Sequence, residues 1–300
     1  MSGTVVEQKP VWLKIKPPRT EKFAEVKQAI KQLGLHTVCE EAHCPNIAEC
    51  WDSGTATFMV LGDTCTRGCR FCAVKTGLKG LELDPFEPRK LALAVKKFGL
   101  GYVVVTSVDR DDLADQGAGH FAECIKEIKR LCPETLVEVL IPDFRGNEEC
   151  IKTIAGAKPE VIAHNIETVK ELQGIVRDRR ANYEQSLFVL KKVKELDPKI
   201  FTKSSIMLGL GEREEQVLKA IDDLRETSVD FLTLGQYLRP SKRHIALKEY
   251  VSPEKFEYYK SIALQKGFLY CASGPFVRSS YKAGEFFVKA LVEGGKRNAG

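Results

Sequence analysis

From about residue 56 to residue 238 the chain alternates short β-branched runs with amphipathic segments, and no other feature restricts its fold as strongly. The runs are ATFMVLG (56 to 62), GYVVVTSV (101 to 108), TLVEVLIP (135 to 142), VIAHNIE (161 to 167), FTKSSIMLGLG (201 to 211) and DFLTLGQYL (230 to 238). Their brevity and their Val, Ile, Leu, Phe and Thr content suit strands buried on both faces. Between them lie EPRKLALAVKKFG, GHFAECIKEIKRLC, NEECIKTIAG, ANYEQSLFVLKKVKEL and EREEQVLKAIDDLRET, whose apolar residues recur at helical spacing. Leu91, Ala94, Val95 and Phe98 mark one such stripe; Val217, Ile221 and Leu224 mark another. Six successive βα units predict a parallel α/β sheet with right-handed crossovers, either doubly wound or a complete or partial barrel. In each case the chemistry belongs at the carboxyl ends of the strands.

Six of the ten cysteines fall between Cys39 and Cys72, in two groups of three. With hydrophobic residues at 43% the chain can bury a full core without crosslinks, and no apolar run reaches the length of a membrane span. The start, MSGTVVEQKPVWLKIKPPRT, lacks the apolar core of a secretory signal. An intracellular location is therefore expected, where thiols stay reduced and disulfides are a poor use for the cluster. That location is cytoplasmic, or an organellar matrix if a transit peptide has been removed. The net charge of +5, with no interleaving of basic and aromatic residues, argues against nucleic acid as a partner. A membrane is excluded on the same sequence grounds.

The second triplet, Cys65, Cys69 and Cys72, has CxxxCxxC spacing directly after the first predicted strand, on a loop at the top of the sheet. Three thiolates fall one short of the usual structural zinc set but suit a four-iron cubane with one iron left open, so spacing favours iron–sulfur over zinc. This stretch, CTRGCRFC, with Phe71 before the last cysteine, resembles the signature of the radical S-adenosylmethionine (SAM) superfamily. The resemblance implies a partial (β/α)6 TIM-type barrel with N- and C-terminal extensions. It also implies a [4Fe-4S] cluster whose open iron chelates SAM and whose electron cleaves it to a 5′-deoxyadenosyl radical.

The first triplet, Cys39, Cys44 and Cys50, has CxxxxCxxxxxC spacing; by itself it reads either as packed free thiols or as a second cluster one ligand short. Followed by CxxxCxFC, the segment CEEAHCPNIAECW resembles the lipoyl synthase family of that superfamily. Near the other end lies GPFVRSSYKAG (274 to 284), where Ser279 and Ser280 alone would suit a turn or a helix cap. The resemblance instead implies that Ser280 completes an auxiliary [4Fe-4S] cluster with the first triplet, Ser279 being the less favoured neighbour. What the family implies is insertion of two sulfur atoms, at C6 and C8 of an octanoyl chain on a carrier-domain lysine, from an auxiliary cluster that is consumed. Partners implied are octanoylated lipoyl domains of 2-oxo acid dehydrogenase complexes and the glycine cleavage H protein, an electron donor such as ferredoxin or flavodoxin, and an iron–sulfur carrier that rebuilds the cluster.

The expected organisation is an extension over 1 to 55 carrying the auxiliary cysteines, a barrel over 56 to 273, and a segment over 274 to 300 with the RSSY motif and a Lys-rich tail. A monomer is the expected state. Further SAM contacts are expected at strand ends: Thr106, Ser107 and Asp109 after the second strand, Asn165 and Glu167 after the fourth, each equally explicable as capping. Glu138 interrupts the buried run VEVLIP and needs a partner, which makes it a sharper candidate. Arg239, in QYLRPSKRH, is a candidate for a SAM carboxylate or a carrier-domain acid, against an ordinary surface ion pair. Cys124, Cys132, Cys150 and Cys271 lack cluster spacing and are expected in the core, and His43 is not expected to be a ligand.

Overall fold

The computed structural model describes residues 9–13, 21–42, 44, 46–52 and 57–280. His43, Tyr281 and the Lys-rich tail lie outside the described residues. The chain opens with α1 (Glu21–Leu33), β1 (His36–Thr37), α2 (Val38–Glu41) and α3 (Ile47–Asp52). Strand β2 (Thr57–Val60) follows, then the two-residue strands β3 (Thr64–Cys65) and β4 (Lys75–Thr76), then α4 (Glu87–Phe98) and β5 (Tyr102–Ser107). The alternation continues through α5 (Ala118–Leu131), β6 (Leu136–Leu140), α6 (Glu148–Gly156) and β7 (Val161–Ala163). It closes with α7 (Gln173–Val176), α8 (Tyr183–Leu196), β8 (Phe201–Leu208), α9 (Glu214–Glu226), β9 (Phe231–Gln236), α10 (Pro253–Gln265) and β10 (Tyr270–Gly274).

The main sheet runs β1-β2-β5-β6-β7-β8-β9-β10, with β1 antiparallel to β2 and every other neighbouring pair parallel. Its outermost strands, β1 and β10, are not paired with each other, so the array is an open, partial barrel. The six predicted strands are all present, although β7 keeps only three residues before the chain leaves the sheet. A seventh parallel strand, β10, goes beyond the expected six units: YCASG is short and poor in β-branched residues, so pairing with β9 rather than propensity makes it a strand.

Helices α4, α5, α6, α8 and α9 coincide with the five predicted amphipathic segments. Two apolar clusters fill the space between helices and sheet, one under β2, β5 and β6 and one under β8, β9 and β10. Val26, Ile30, Leu35 and Trp51 of the N-terminal segment belong to the first, so that segment is packed into the barrel's core rather than built around one of its own. Cys124 and Cys271 are fully buried in these clusters, as expected of packed thiols. Among the described residues no helix is long and apolar enough to cross a membrane.

Candidate functional site

One cavity of about 510 Å3 opens at the carboxyl ends of the strands. Register puts Met59 beside Thr106 and Thr106 beside Leu140, so three adjacent strands send neighbouring residues to its wall. Ser205, Met207, Gly235 and Gln236 do the same from β8 and β9. Gly235 has a specific reason to be glycine: a Cβ there would sit 2.2 Å from the carbonyl oxygen of Val277. Without that side chain the segment after β10 lies directly against β9, and Val277, Arg278, Ser279 and Ser280 reach the cavity. Asn46 ties that segment to the first cysteine group, its Nδ2 donating to Phe276 O at 2.7 Å.

All six clustered cysteines line this cavity, Cys39, Cys44 and Cys50 from α2, α3 and the turn between them, Cys65, Cys69 and Cys72 from the loop after β2. Burial pushes the thiol of Cys39 up to about 11, of Cys65 to about 12, of Cys69 to about 12 and of Cys72 to about 11. Thiolates at these positions therefore need a cation, and a bound metal supplies it while expelling the protons.

The second cysteine loop is tied down on every side. Arg67, 3% exposed, lies inside it and donates from Nη1 to Asp143 at 2.8 Å, from Nε and Nη2 to Asp111 at 2.9 and 3.0 Å, and its Nε is 3.2 Å from Asp109. The Asp178 amide donates to Cys69 Sγ at 3.3 Å, and the Arg67 amide to Cys65 Sγ at 3.4 Å. His244 Nε2 is 3.0 Å from the Cys72 carbonyl oxygen, while the Ile245 amide donates to Arg70 O at 2.9 Å. The loop's shape is thus fixed by contacts within the protein.

Of the other residues expected from the sequence, Phe71, Thr106, Ser107, Asp109, Asn165, Glu167 and Arg239 all line the cavity. Phe71 also packs against Val176, Leu210, Tyr237 and Ile245, which anchors the loop apolarly. Thr106 spends its hydroxyl within the sheet, on Leu140 O at 3.0 Å. Among the described residues Ser107 Oγ and Asn165 Oδ1 are buried with no hydrogen-bond partner, as polar atoms that await a ligand are. Glu167 holds a left-handed backbone with φ of 66°, and Asn165 Nδ2 donates to its carboxylate at 3.1 Å. Burial raises both Glu167 and Asp109, the latter to about 6 against the pull of Arg67. Arg239 donates to the backbone carbonyls of His244 and Lys242 at 2.9 and 2.5 Å, so it braces its own loop, and among the described residues it forms no ion pair of the kind considered from sequence.

Glu138 is a correction. It lies in the barrel below the cavity, 2% exposed, with one oxygen on Lys203 Nζ at 2.7 Å and the other accepting from Tyr102 Oη at 2.5 Å. The partner its burial demanded is another side chain, and Glu138 is not among the residues that line the cavity.

Sequence reasoning missed Arg67, Asp143, Arg177 and Arg278, all of which line the cavity. Arg177 is buried, donates to Gln173 and Ser186, has an Nε with no partner among the described residues, and lends positive charge to Cys69. Arg278 does the same for Cys44, and burial holds its own guanidinium below the ordinary arginine range. Among the described residues neither forms an ion pair with a carboxylate.

Comparison with known proteins agrees with this architecture. A model of the radical SAM superfamily matches residues 59–224, and one of the N-terminal domain of lipoyl synthase matches residues 3–44. The chain is 58% identical over 287 residues to an apicoplast lipoyl synthase of Plasmodium vivax, covering 96% of this chain and 65% of the relative. It is 54% identical over 297 residues to a mitochondrial lipoyl synthase of Picea sitchensis, covering 97% and 77%. The chain thus spans just under two thirds of the Plasmodium vivax protein's length. Among solved structures, the maturase HydG of Carboxydothermus hydrogenoformans aligns with TM-score 0.56 at 14% identity, over 81% of this chain and 63% of that one. Methylornithine synthase aligns with TM-score 0.55 at 11% identity, over 83% and 70%. At such identities these two share the fold and nothing further.

Proposed function

Because the chain belongs to the lipoyl synthase family of the radical SAM superfamily, we propose that it inserts sulfur at C6 and C8 of an octanoyl chain borne on a lysine of a lipoyl carrier domain. The observation that carries this reading is the single cavity that receives both cysteine groups together with Ser280. A reaction that removes hydrogen with one cofactor and delivers sulfur from another needs both beside one substrate carbon, since proximity is what lets capture outrun side reactions.

The residues present fit the groups the family implies. Two sets of three thiols suit two [4Fe-4S] clusters, and Ser107 Oγ, Asn165 Oδ1 and Arg177 Nε, at the same wall, have no partner among the described residues. Cys65, Cys69 and Cys72 would hold the cluster that binds SAM; Cys39, Cys44, Cys50 and Ser280 would hold the auxiliary one. When bound, these groups supply a 5′-deoxyadenosyl radical and the sulfur.

The chain's own part is to shape, charge and dry the site. Arg67 and its aspartates hold the second cysteine loop in one conformation. Arg177 and Arg278 each place a positive charge beside a cysteine and favour its thiolate. Met59, Val108, Leu140, Ile141, Ile206 and Met207 give the wall an apolar share that suits an alkyl chain and excludes water. Ser280 is a hard donor, more readily displaced than a thiolate, which suits a cluster that is dismantled in use.

Lipoyl carrier domains of 2-oxo acid dehydrogenase complexes and the glycine cleavage H protein are the substrates this reading requires, with a low-potential donor of the ferredoxin or flavodoxin kind and an iron–sulfur carrier for rebuilding. Of the two locations expected from sequence, the relatives' printed names favour the organellar matrix. The test is anaerobic: reconstituted protein, SAM, a reductant and an octanoylated carrier peptide, read by mass spectrometry. Dithiolated peptide and about eight irons per chain are expected. 5′-Deoxyadenosine without thiolated peptide would overturn the substrate assignment while leaving the radical chemistry standing, and zinc in place of iron would overturn both.

A further inference from the structure

The second cysteine loop leaves β2 through two consecutive residues of left-handed backbone, Leu61 with φ of 72° and Gly62 with φ of 88°. For glycine this costs little, but for a branched residue it is a strained conformation that only surrounding contacts can maintain. Leu61 is 1% exposed, and both of its backbone polar groups are gripped by charged side chains. Its amide donates to Glu87 Oε2 at 3.0 Å, and its carbonyl accepts from Arg110 Nη1 at 3.1 Å.

Each grip is itself held. Glu87 stands at the start of α4, 7% exposed, and the same oxygen is 2.7 Å from His120 Nε2 on α5. Arg110, 2% exposed, donates from Nε and Nη2 to Asp112, both at 2.9 Å. The fit is close: a Cβ on Gly80 would sit 2.4 Å from Arg110 Nε, and one on Gly117 would sit 2.6 Å from the Leu61 side chain. None of these groups lines the cavity, so the candidate site does not account for them.

We propose that Glu87, steadied by His120, and Arg110 are positioning residues that clamp the Leu61 peptide and thereby aim the loop carrying Cys65, Cys69 and Cys72. The two ends of the clamp tie that loop to its surroundings. Arg110 follows Asp109, whose carbonyl accepts from the Thr66 amide at 2.9 Å and whose carboxylate is 3.7 Å from Cys65 Sγ. Releasing Leu61 would let residues 61 to 65 relax toward ordinary backbone and carry Cys65 with them. Cys124 Sγ, Glu87 and His120 have donor atoms within 4.8 Å of one another, but the Glu87 oxygen is committed to the Leu61 amide and the imidazole.

The proposal rests on reading the second triplet as cluster ligands, and its test separates the two. Glu87→Ala, Glu87→Gln and Arg110→Met are reconstituted anaerobically beside wild type and compared by electron paramagnetic resonance of the reduced protein with and without SAM. They are also compared by thiolated peptide formed per 5′-deoxyadenosine, and by amide hydrogen exchange at Leu61. Glu87→Ala and Arg110→Met should keep their iron, change the SAM-dependent spectrum, and lower the product ratio about 10- to 100-fold, the scale of a misplacement near 1 Å. Exchange at Leu61 should rise in Glu87→Ala, and Glu87→Gln, which keeps an acceptor oxygen, should restore most of each readout.

If the alanine variant does not fold, Glu87→Asp gives the same comparison, because it keeps the charge and withdraws the oxygen by one methylene. Wild-type spectra and product ratio in Glu87→Ala and Arg110→Met would overturn the clamp, as would a zinc ion lost on Glu87→Ala, since the carboxylate would then be a ligand. If wild type itself cleaves SAM but thiolates nothing, the substrate reading fails while spectra and exchange still decide the clamp.

Discussion

Replacing Arg67 with Met removes a guanidinium that is 3% exposed and faces three aspartates. The losses differ by partner. Asp143 gives up bonds of 2.8 Å at both oxygens and keeps the Arg145 amide at 2.9 Å. Asp111 retains Arg145 at 2.8 Å and Arg180 at 3.3 Å. Asp109 loses its one ion pair among the described residues. Breaking a buried pair from one side costs about 3–5 kcal/mol, because the surviving charge is left uncompensated. For a chain of this size that is a fall in melting midpoint on the order of 10 °C. Circular dichroism melts of reconstituted Arg67→Met should show it, and adding Asp143→Asn should recover part, since neighbours in one network couple.

The pH dependence follows from Asp143. Despite burial, bonding to Arg67 holds its carboxyl at about 2 instead of the ordinary 3.8, worth about 2 kcal/mol. Because the folded value lies below the unfolded one, this stabilisation is complete above pH 3.8 and disappears as pH falls through about 2. The gap between wild type and Arg67→Met, followed in the metal-free chain, should therefore be widest at neutral pH and close in acid. A midpoint within about 2 °C of wild type at pH 7 would refute the reasoning, since it would mean the aspartates are adequately solvated or paired without Arg67.

The two cysteine groups should separate by function. Cys44→Ala should retain reductive cleavage of SAM and lose sulfur insertion, whereas Cys69→Ala should lose both, as measured by 5′-deoxyadenosine and thiolated peptide from one reaction. Ser280→Ala should behave like Cys44→Ala in the product assay while keeping the iron content close to wild type, because three thiolates remain on the auxiliary side. Glu138→Leu should lower stability by about 3–5 kcal/mol by stranding buried Lys203, and Glu138→Leu with Lys203→Met should regain most of it. SAM binding by Glu138→Leu, read by calorimetry, should match wild type as far as the variant stays folded, in keeping with its place below the cavity.

The parts of this molecule that were legible in the sequence are those in which one residue type at a fixed spacing carries the information. Helices α4, α5, α6, α8 and α9 announced themselves by periodicity, and six cysteines by interval. Strand β10 was not legible, because YCASG has little intrinsic preference and becomes a strand only where β9 offers an edge. The charged residues failed for a different reason. Arg67 sits in the middle of the most informative motif in the chain, yet its partners are 44 and 76 residues away, and an isolated arginine between cysteines looks like any solvated one. Glu138 shows the converse error: a carboxylate in a buried run demands a partner, but sequence does not say whether that partner is a ligand above or a lysine below. Local spacing gives the candidate metal-binding donors, while the groups that set their charge and aim are assembled by topology. For this reason substitutions at Glu87 and Arg110, which no sequence motif singles out, are the more informative probes of how the loop is positioned.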